Sequence, residues 1–171
     1  MKITIIGTGY VGLVSGTCFS DFGFPVTCVD IDESKIARLN ALDIPIYEPG
    51  LEELVAKNLE EGRLSFTTDM ASAVSNADVV FIAVGTPSEP GSGAVDMSWV
   101  DGAARTIAGA LEDFTVIVTK STVPVGTARR LANIIATANP DADFAMASNP
   151  EFLREGSAIT DFFSPDRVVV G

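Results

Sequence analysis

Short strand-like runs alternate along the chain with longer stretches whose apolar residues recur every three or four positions. The runs lie at 2–6, 25–29, 64–67, 79–84, 114–119 and 144–147, and helical periodicity fills 10–22, 33–42, 51–60, 97–111 and 125–138, with a shorter helix after Asp69 as far as Val74. Val79-Val80-Phe81-Ile82-Ala83-Val84 is apolar throughout, the mark of a strand covered on both faces. Strands and helices in this alternation predict an α/β fold, a Rossmann-like doubly wound parallel sheet with helices on both faces. Asp166-Arg167-Val168-Val169-Val170-Gly171 reads as one further strand. Asp69 and Ser98 are candidate helix caps, Ile44–Gly50 is a proline-rich connection, and Gly85–Gly93 is too rich in glycine and proline for regular structure. No repeat or low-complexity linker divides the 171 residues, which suit one domain, or one domain plus the start of another.

The first strand runs directly into Gly7-Thr8-Gly9-Tyr10-Val11-Gly12 and a helix, and the second strand closes on Asp30. Each glycine has a physical task in a dinucleotide-binding turn. Gly7 permits the sharp bend, Gly9 lets the backbone approach a pyrophosphate, and Gly12 lets helix and strand pack closely. The phosphates would sit on unpaired amides at the positive end of the helix dipole. Asp30 lies 18 residues beyond Gly12, near the spacing at which an acid accepts hydrogen bonds from the adenosine ribose. A 2′-phosphate would meet Asp30 and Asp32 with no arginine directly after the strand, so NAD is favoured over NADP. Lys35, one turn into the next helix, lies along the ribose edge or is simply solvated.

Composition narrows the partners. A net charge of −12 argues against nucleic acid and against an anionic membrane surface. No apolar run reaches the ~18 residues that span a bilayer, and Met1-Lys2 leads straight into the first strand without a signal peptide, so a cytoplasmic protein is expected. The chain has no histidine, which removes His-based dehydrogenase chemistry, Ser-His-Asp hydrolysis and His-ligated zinc; no metal is expected. Cys18 and Cys28 fall inside a helix and a strand, where free cysteine behaves as a small buried hydrophobe.

Ligands of an open parallel sheet bind beyond the carboxyl ends of its strands. Besides the glycine turn, three segments fall there: Gly85-Thr86-Pro87, Lys120-Ser121-Thr122-Val123-Pro124-Val125-Gly126-Thr127, and Ser148-Asn149-Pro150-Glu151-Phe152-Leu153-Arg154-Glu155-Gly156. Thr86 is a cofactor contact or a turn threonine before proline. Ser121 and Thr122 precede a proline and a helix start, and taken alone read first as caps. Glu151 follows a strand end among Ala147, Phe152 and Leu153, apolar company that can raise a carboxyl pKa toward the range of acid–base work. Glu155 shares a helical face with Glu151, pairs with Arg154 in solvent, or is an early-helix acid favoured by the dipole.

Taken in order, these motifs and Asn149–Ala158 resemble the N-terminal domain of the UDP-glucose 6-dehydrogenase family over the whole chain, and Pro165–Gly171 resembles its UDP-glucose branch more than the GDP-mannose one. The resemblance implies oxidation of the C6 alcohol of UDP-glucose to UDP-glucuronate in two NAD-dependent steps, through an aldehyde and a covalent thioester. It implies NAD contacts from Val11, Asp30, Lys35, Thr86, Thr122 and Glu155, beside Gly7, Gly9, Tyr10, Gly12 and Ser121 of the same motifs. Thr122 and Glu151 would hold the catalytic water, with Glu151 as general base, and Glu151, Phe152, Leu153, Arg154 and Glu155 would line the UDP-sugar. The family's nucleophilic cysteine belongs to a C-terminal part, which with a central dimer-forming helix is not among these residues. The expectation is therefore a cofactor-binding part that binds NAD without turnover, monomeric alone and homodimeric at full length. The alternatives are another nucleotide-sugar dehydrogenase, acting on GDP-mannose or a UDP-N-acetylhexosamine, and a non-catalytic NAD-binding sensor.

Overall fold

The computed structural model describes residues 1–88, 91 and 93–171. Six strands, β1 (Ile3–Ile6), β2 (Val26–Val29), β3 (Leu64–Thr67), β4 (Val79–Ile82), β5 (Thr115–Thr119) and β6 (Phe144–Ser148), form one parallel sheet in the order β3-β2-β1-β4-β5-β6. The helices are α1 (Tyr10–Asp21), α2 (Glu33–Asn40), α3 (Leu51–Glu60), α4 (Met70–Ser75), α5 (Ser98–Ala110), α6 (Thr127–Ala138) and α7 (Ala158–Phe163). The Rossmann-like architecture expected from the alternation is the one observed.

Side chains of neighbouring strand residues point to opposite faces, and the sheet accordingly carries two cores. On one face Ile3, Ile5, Val26, Cys28 and Phe81 pack with Leu13, Val14 and Cys18 of α1, with Leu51 and Val55 of α3, and with Ala158 of α7. On the other, Ile6, Val80, Ile82 and Ile117 pack with Val74, Val100, Ile107, Leu131 and Ile135 of α4, α5 and α6. Connections from β1 run one way along the sheet to β3, and those from β4 run the other way to β6. The reversal falls between β1 and β4, and it is beyond the carboxyl ends of strands at such a point that open parallel sheets bind their ligands. Both cysteines are fully buried, and burial pushes each thiol up to about 12, as suits inert core residues.

Three local expectations fail for identifiable reasons. Residues 166–171 form no strand: apart from a reciprocal pair of backbone bonds between Ser148 and Gly171 they join no ladder, and Val168 and Val170 are 68% and 69% exposed. Valine's preference for strands rests on burial against neighbours, which this run lacks. Ser98 is not a cap but the first residue of α5; Met97 holds the cap position, and the Asp96 carboxylate accepts the Ser98 amide at 2.8 Å. Helix α7, unexpected from sequence, docks on α1 through T-shaped contacts of Phe162 with Phe19 and Phe163 with Phe22. Of the loop Gly85–Gly93, Glu89, Pro90 and Ser92 lie outside the described residues.

No helix among the described residues is long and apolar enough to cross a membrane.

Candidate functional site

The three glycines of the first turn are not equivalent. Gly7 has φ +101°, and a Cβ there would stand 2.6 Å from the Ala83 carbonyl oxygen. A Cβ on Gly12 would reach 1.9 Å from the Gly7 oxygen. These two close the turn against β4, so the protein's own packing requires them. Gly9 differs: its φ of −69° suits any residue, and a Cβ on it would meet nothing within 4 Å. Its missing side chain leaves room only outside the protein, in front of α1. That helix begins with no side-chain cap and no acid in its first turn, so its leading amides, Tyr10 and Val11 among them, face an anion site unopposed. Gly16, which sequence reading passed over, brings α1 onto β2: a Cβ there would lie 2.4 Å from Cys28 Sγ.

At the end of β2, Asp30 is oriented by its own network. Its Oδ2 accepts the Thr8 amide at 2.9 Å, the Thr8 hydroxyl at 2.7 Å and Lys35 Nζ at 2.9 Å, while Oδ1 accepts the Asp32 amide at 3.1 Å. Burial alone would raise this carboxyl; the bonds from Thr8 and Lys35 outweigh it and hold the group below the usual carboxylate range. Asp30 is therefore an anion fixed beside the glycine turn, with acceptor capacity left on Oδ1. Lys35 is not simply solvated, since it is tied to Asp30.

The loops after β4 and β5 meet through Ser121, whose hydroxyl donates to the Val84 oxygen at 2.7 Å. Ser121 is thus no cap, and neither is Thr122: Gly126 precedes α6, and Thr127 donates to the Pro124 oxygen instead. Thr86 is half-buried and Thr122 exposed, both beyond the carboxyl edge of the sheet.

The loop after β6 is organised differently. Asn149 to Ser157 form no helix, so Glu151 and Glu155 share no helical face, and Arg154 pairs with Asp161 rather than with Glu155. Proline at 150 restricts the backbone, and the Glu151 carboxylate accepts the Leu153 amide at 2.6 Å. The apolar company expected of Glu151 is interrupted by a cation, Lys120, which is only 6% exposed and whose own ionisation Glu151 influences. Phe152 is half exposed with the Arg167 guanidinium over its ring, 4.9 Å from the centroid. At the far end, Glu48 is buried and accepts the Gly156 and Ala158 amides, each at 2.8 Å, and the Tyr10 hydroxyl. Burial would raise Glu48, but these three hydrogen bonds outweigh it and keep the carboxyl below the usual carboxylate range, while burial first, and then the bond to Glu48, push the Tyr10 hydroxyl upward. Tyr10 thereby links the glycine turn to the loop carrying Glu151 and Glu155. Sequence reading missed Glu48 and Lys120; the available signal was a single acid in the apolar Ile44–Leu51 stretch and a lysine abutting an apolar strand.

Known proteins resemble the chain along its whole length. The model of the UDP-glucose/GDP-mannose dehydrogenase family, NAD binding domain, matches residues 1–171. A UDP-glucose 6-dehydrogenase of Rhizobium meliloti (strain 1021) is 62% identical over 100% of this chain and 39% of its own length. The UDP-glucose 6-dehydrogenase TuaD of Bacillus subtilis (strain 168) is 53% identical over 99% of this chain and 37% of its length. Among solved structures, a UDP-glucose dehydrogenase from the hyperthermophilic archaeon Pyrobaculum islandicum superposes with TM-score 0.95 at 44% identity, covering 99% of this chain and 40% of that one. A GDP-mannose dehydrogenase from Pseudomonas aeruginosa, solved as a ternary complex, gives 0.96 at 40% identity, covering 100% and 41%. The chain thus spans about two-fifths of the length of the relatives it matches.

Proposed function

Because the chain belongs to the UDP-glucose/GDP-mannose dehydrogenase family, whose NAD-binding domain it is, we propose that it serves the oxidation of UDP-glucose to UDP-glucuronate. The observation that carries the reading is the open space at Gly9, in front of uncapped helix amides and beside an anion already fixed at Asp30. These residues fit NAD: the amides suit its diphosphate and Asp30 suits its ribose hydroxyls. A 2′-phosphate would meet Asp30, which is why the reading favours NAD over NADP. When bound, the cofactor supplies a hydride acceptor.

The chain's own residues supply the rest. Val11 and Tyr10 present amides to the diphosphate, Asp30, itself paired with Lys35, holds the ribose, and Thr86, Ser121, Thr122 and Glu155 flank the nicotinamide end. Glu151, with Thr122, holds a water and takes its proton as general base, while Phe152, Leu153, Arg154 and Glu155 line the sugar nucleotide. UDP-glucose is preferred to GDP-mannose because relatives named for UDP-glucose reach 62% and 53% identity, although both kinds share this backbone.

Calorimetric titration of the 171-residue chain with NAD tests the reading. One site is expected, with NADP weaker by about tenfold or more, since each factor of ten is ~1.4 kcal/mol of lost interaction. Equal affinity for the two cofactors, or no uptake of NAD, contradicts it.

A further inference from the structure

We propose that Lys120 is a positioning residue, fixing the Asn149-Pro150-Glu151 turn and with it the place of the Glu151 carboxylate. The inference deepens the acid–base reading of Glu151 and rests on it.

Lys120 immediately follows β5, and Asn149 immediately follows β6, whose last residues Thr119 and Ser148 are paired in register. The two side chains therefore meet as the next step of the ladder, Nζ donating to Asn149 Oδ1 at 3.0 Å. Asn149 is held from two more sides. Its amide donates to the Thr119 oxygen at 2.9 Å, and its Nδ2 donates to the Val169 oxygen at 2.8 Å. An asparagine bonded three ways has one orientation, and Pro150 restricts the next φ, so little freedom remains before Glu151.

A lysine is a costly choice for mere packing. Lys120 is 6% exposed, with its ammonium 6.0 Å from the centre of the Phe162 ring, and an apolar side chain of similar length would fill the space without desolvating a charge. An ammonium has three donors, and among the described residues Asn149 is its one hydrogen-bond acceptor. The compensating charge comes from Glu151: burial pushes the Lys120 pKa down, and the Glu151 carboxylate pushes it back up. From the β6 loop Asn149 touches the ammonium and Glu151 acts on it through charge, and α7 contributes the ring of Phe162. The cation thus holds the turn by a hydrogen bond at its start and by charge at its end.

The test uses the 171-residue chain and nuclear magnetic resonance. In Lys120→Met the Leu153 amide, held by Glu151 at 2.6 Å, should exchange with solvent about tenfold faster, the equivalent of one lost hydrogen bond, and Lys120→Arg should restore most of the protection. A folded Lys120→Met with unchanged Leu153 exchange overturns the proposal. Glu151→Gln reads the charge coupling between the two residues from the other side and stands even if Lys120→Met does not fold. Removing the carboxylate removes what favours the ammonium, so the Lys120 titration midpoint should fall, and a midpoint that stays put overturns the proposal. NAD titration of the unaltered chain is a separate measurement. Its failure would remove the proposed function while the Lys120–Glu151 coupling still registered in these spectra.

Discussion

The glycine turn after β1 and the loop after β6 lie along the same, carboxyl edge of the sheet, yet they hold their shape by opposite means. The turn is closed by absence: Gly7 and Gly12 leave no room for a Cβ because backbone stands 2.6 and 1.9 Å away. The contacts involved are either within the motif or with Ala83 and Val84, directly after the adjoining strand β4. The β6 loop is closed by buried charge brought from a distance. Glu48 reaches Gly156 across 108 positions of sequence, and Lys120 reaches Asn149 across 29. A site that grips a cofactor by main-chain amides needs a rigid local turn, whereas one that presents carboxylates to a substrate needs side chains aimed by other side chains. The two modes meet at Tyr10, which belongs to the turn and donates to Glu48.

The comparison breaks first, and hardest, at Gly12. Gly12→Ala puts a methyl group inside the van der Waals radius of the Gly7 oxygen, where neither backbone can yield without opening the turn. A loss of about 3 kcal/mol or more is expected in urea denaturation, at or beyond the upper end of overpacking costs. A cost below about 1 kcal/mol would mean that the turn is not closed by contact at all.

Glu48→Gln comes next and strikes the loop. Gln keeps one acceptor and turns the other into a donor, so at least one of the Gly156 and Ala158 amides or the Tyr10 hydroxyl is left unmatched. About 2–3 kcal/mol is expected, with hydrogen-exchange protection lost in 156–163 before the sheet is affected. The pH dependence follows from the sign of the shift. The folded Glu48 carboxyl lies below its ordinary value near 4.5, so its contribution is present above that value and is lost as pH falls through the folded one. Asp30, depressed likewise, adds to the same loss. Acid should therefore release α7 and the loop first, and Glu48→Gln should show a flatter decline below about pH 4.5 than the unaltered chain. Parallel declines would place the acid sensitivity elsewhere.

Gly9→Ala separates holding the turn from holding the ligand. With an ordinary φ and open space around the new methyl group, stability should stay within about 1 kcal/mol of the original. Affinity for NAD should nevertheless drop about tenfold or more, because the methyl group occupies the approach to the helix amides. Unchanged affinity would show that the cofactor does not come over Gly9.

The same contrast explains what could be read from the sequence. The glycine turn and Asp30 were legible because their chemistry is local, and Leu51–Glu60 and Leu64–Thr67 appear with the bounds their pattern suggested. Helix α7 was not, because its six residues are too few to show a period. What stabilises them is the Glu48 carboxylate at one end and the rings of Phe19 and Phe22 along one side, all remote in sequence. The valines of 168–170 misled for the converse reason: they have strand-forming side chains but no core to bury them. In the candidate site, residue identities at the strand ends were visible, but the tie of Lys120 to Asn149 and the exclusion of Ser121 from capping depend on contacts that no local pattern encodes.

The smallest effect sharpens the comparison inside the turn itself. Lys35 pairs with Asp30 at 2.9 Å, its own side chain about one-third exposed. If the turn is organised locally, Asp30 keeps its place without the lysine, since the Thr8 amide and hydroxyl hold the same oxygen at 2.9 and 2.7 Å. Lys35→Ala should then cost no more than about 0.5 kcal/mol in stability, as partly exposed ion pairs do. NAD affinity should change by no more than about twofold, again the equivalent of ~0.5 kcal/mol. A loss of tenfold in affinity at unchanged stability would show instead that Lys35 touches the cofactor directly. Glu48 and Lys120 would then no longer be the measure of reliance on a placed charge, because the glycine turn too would depend on one.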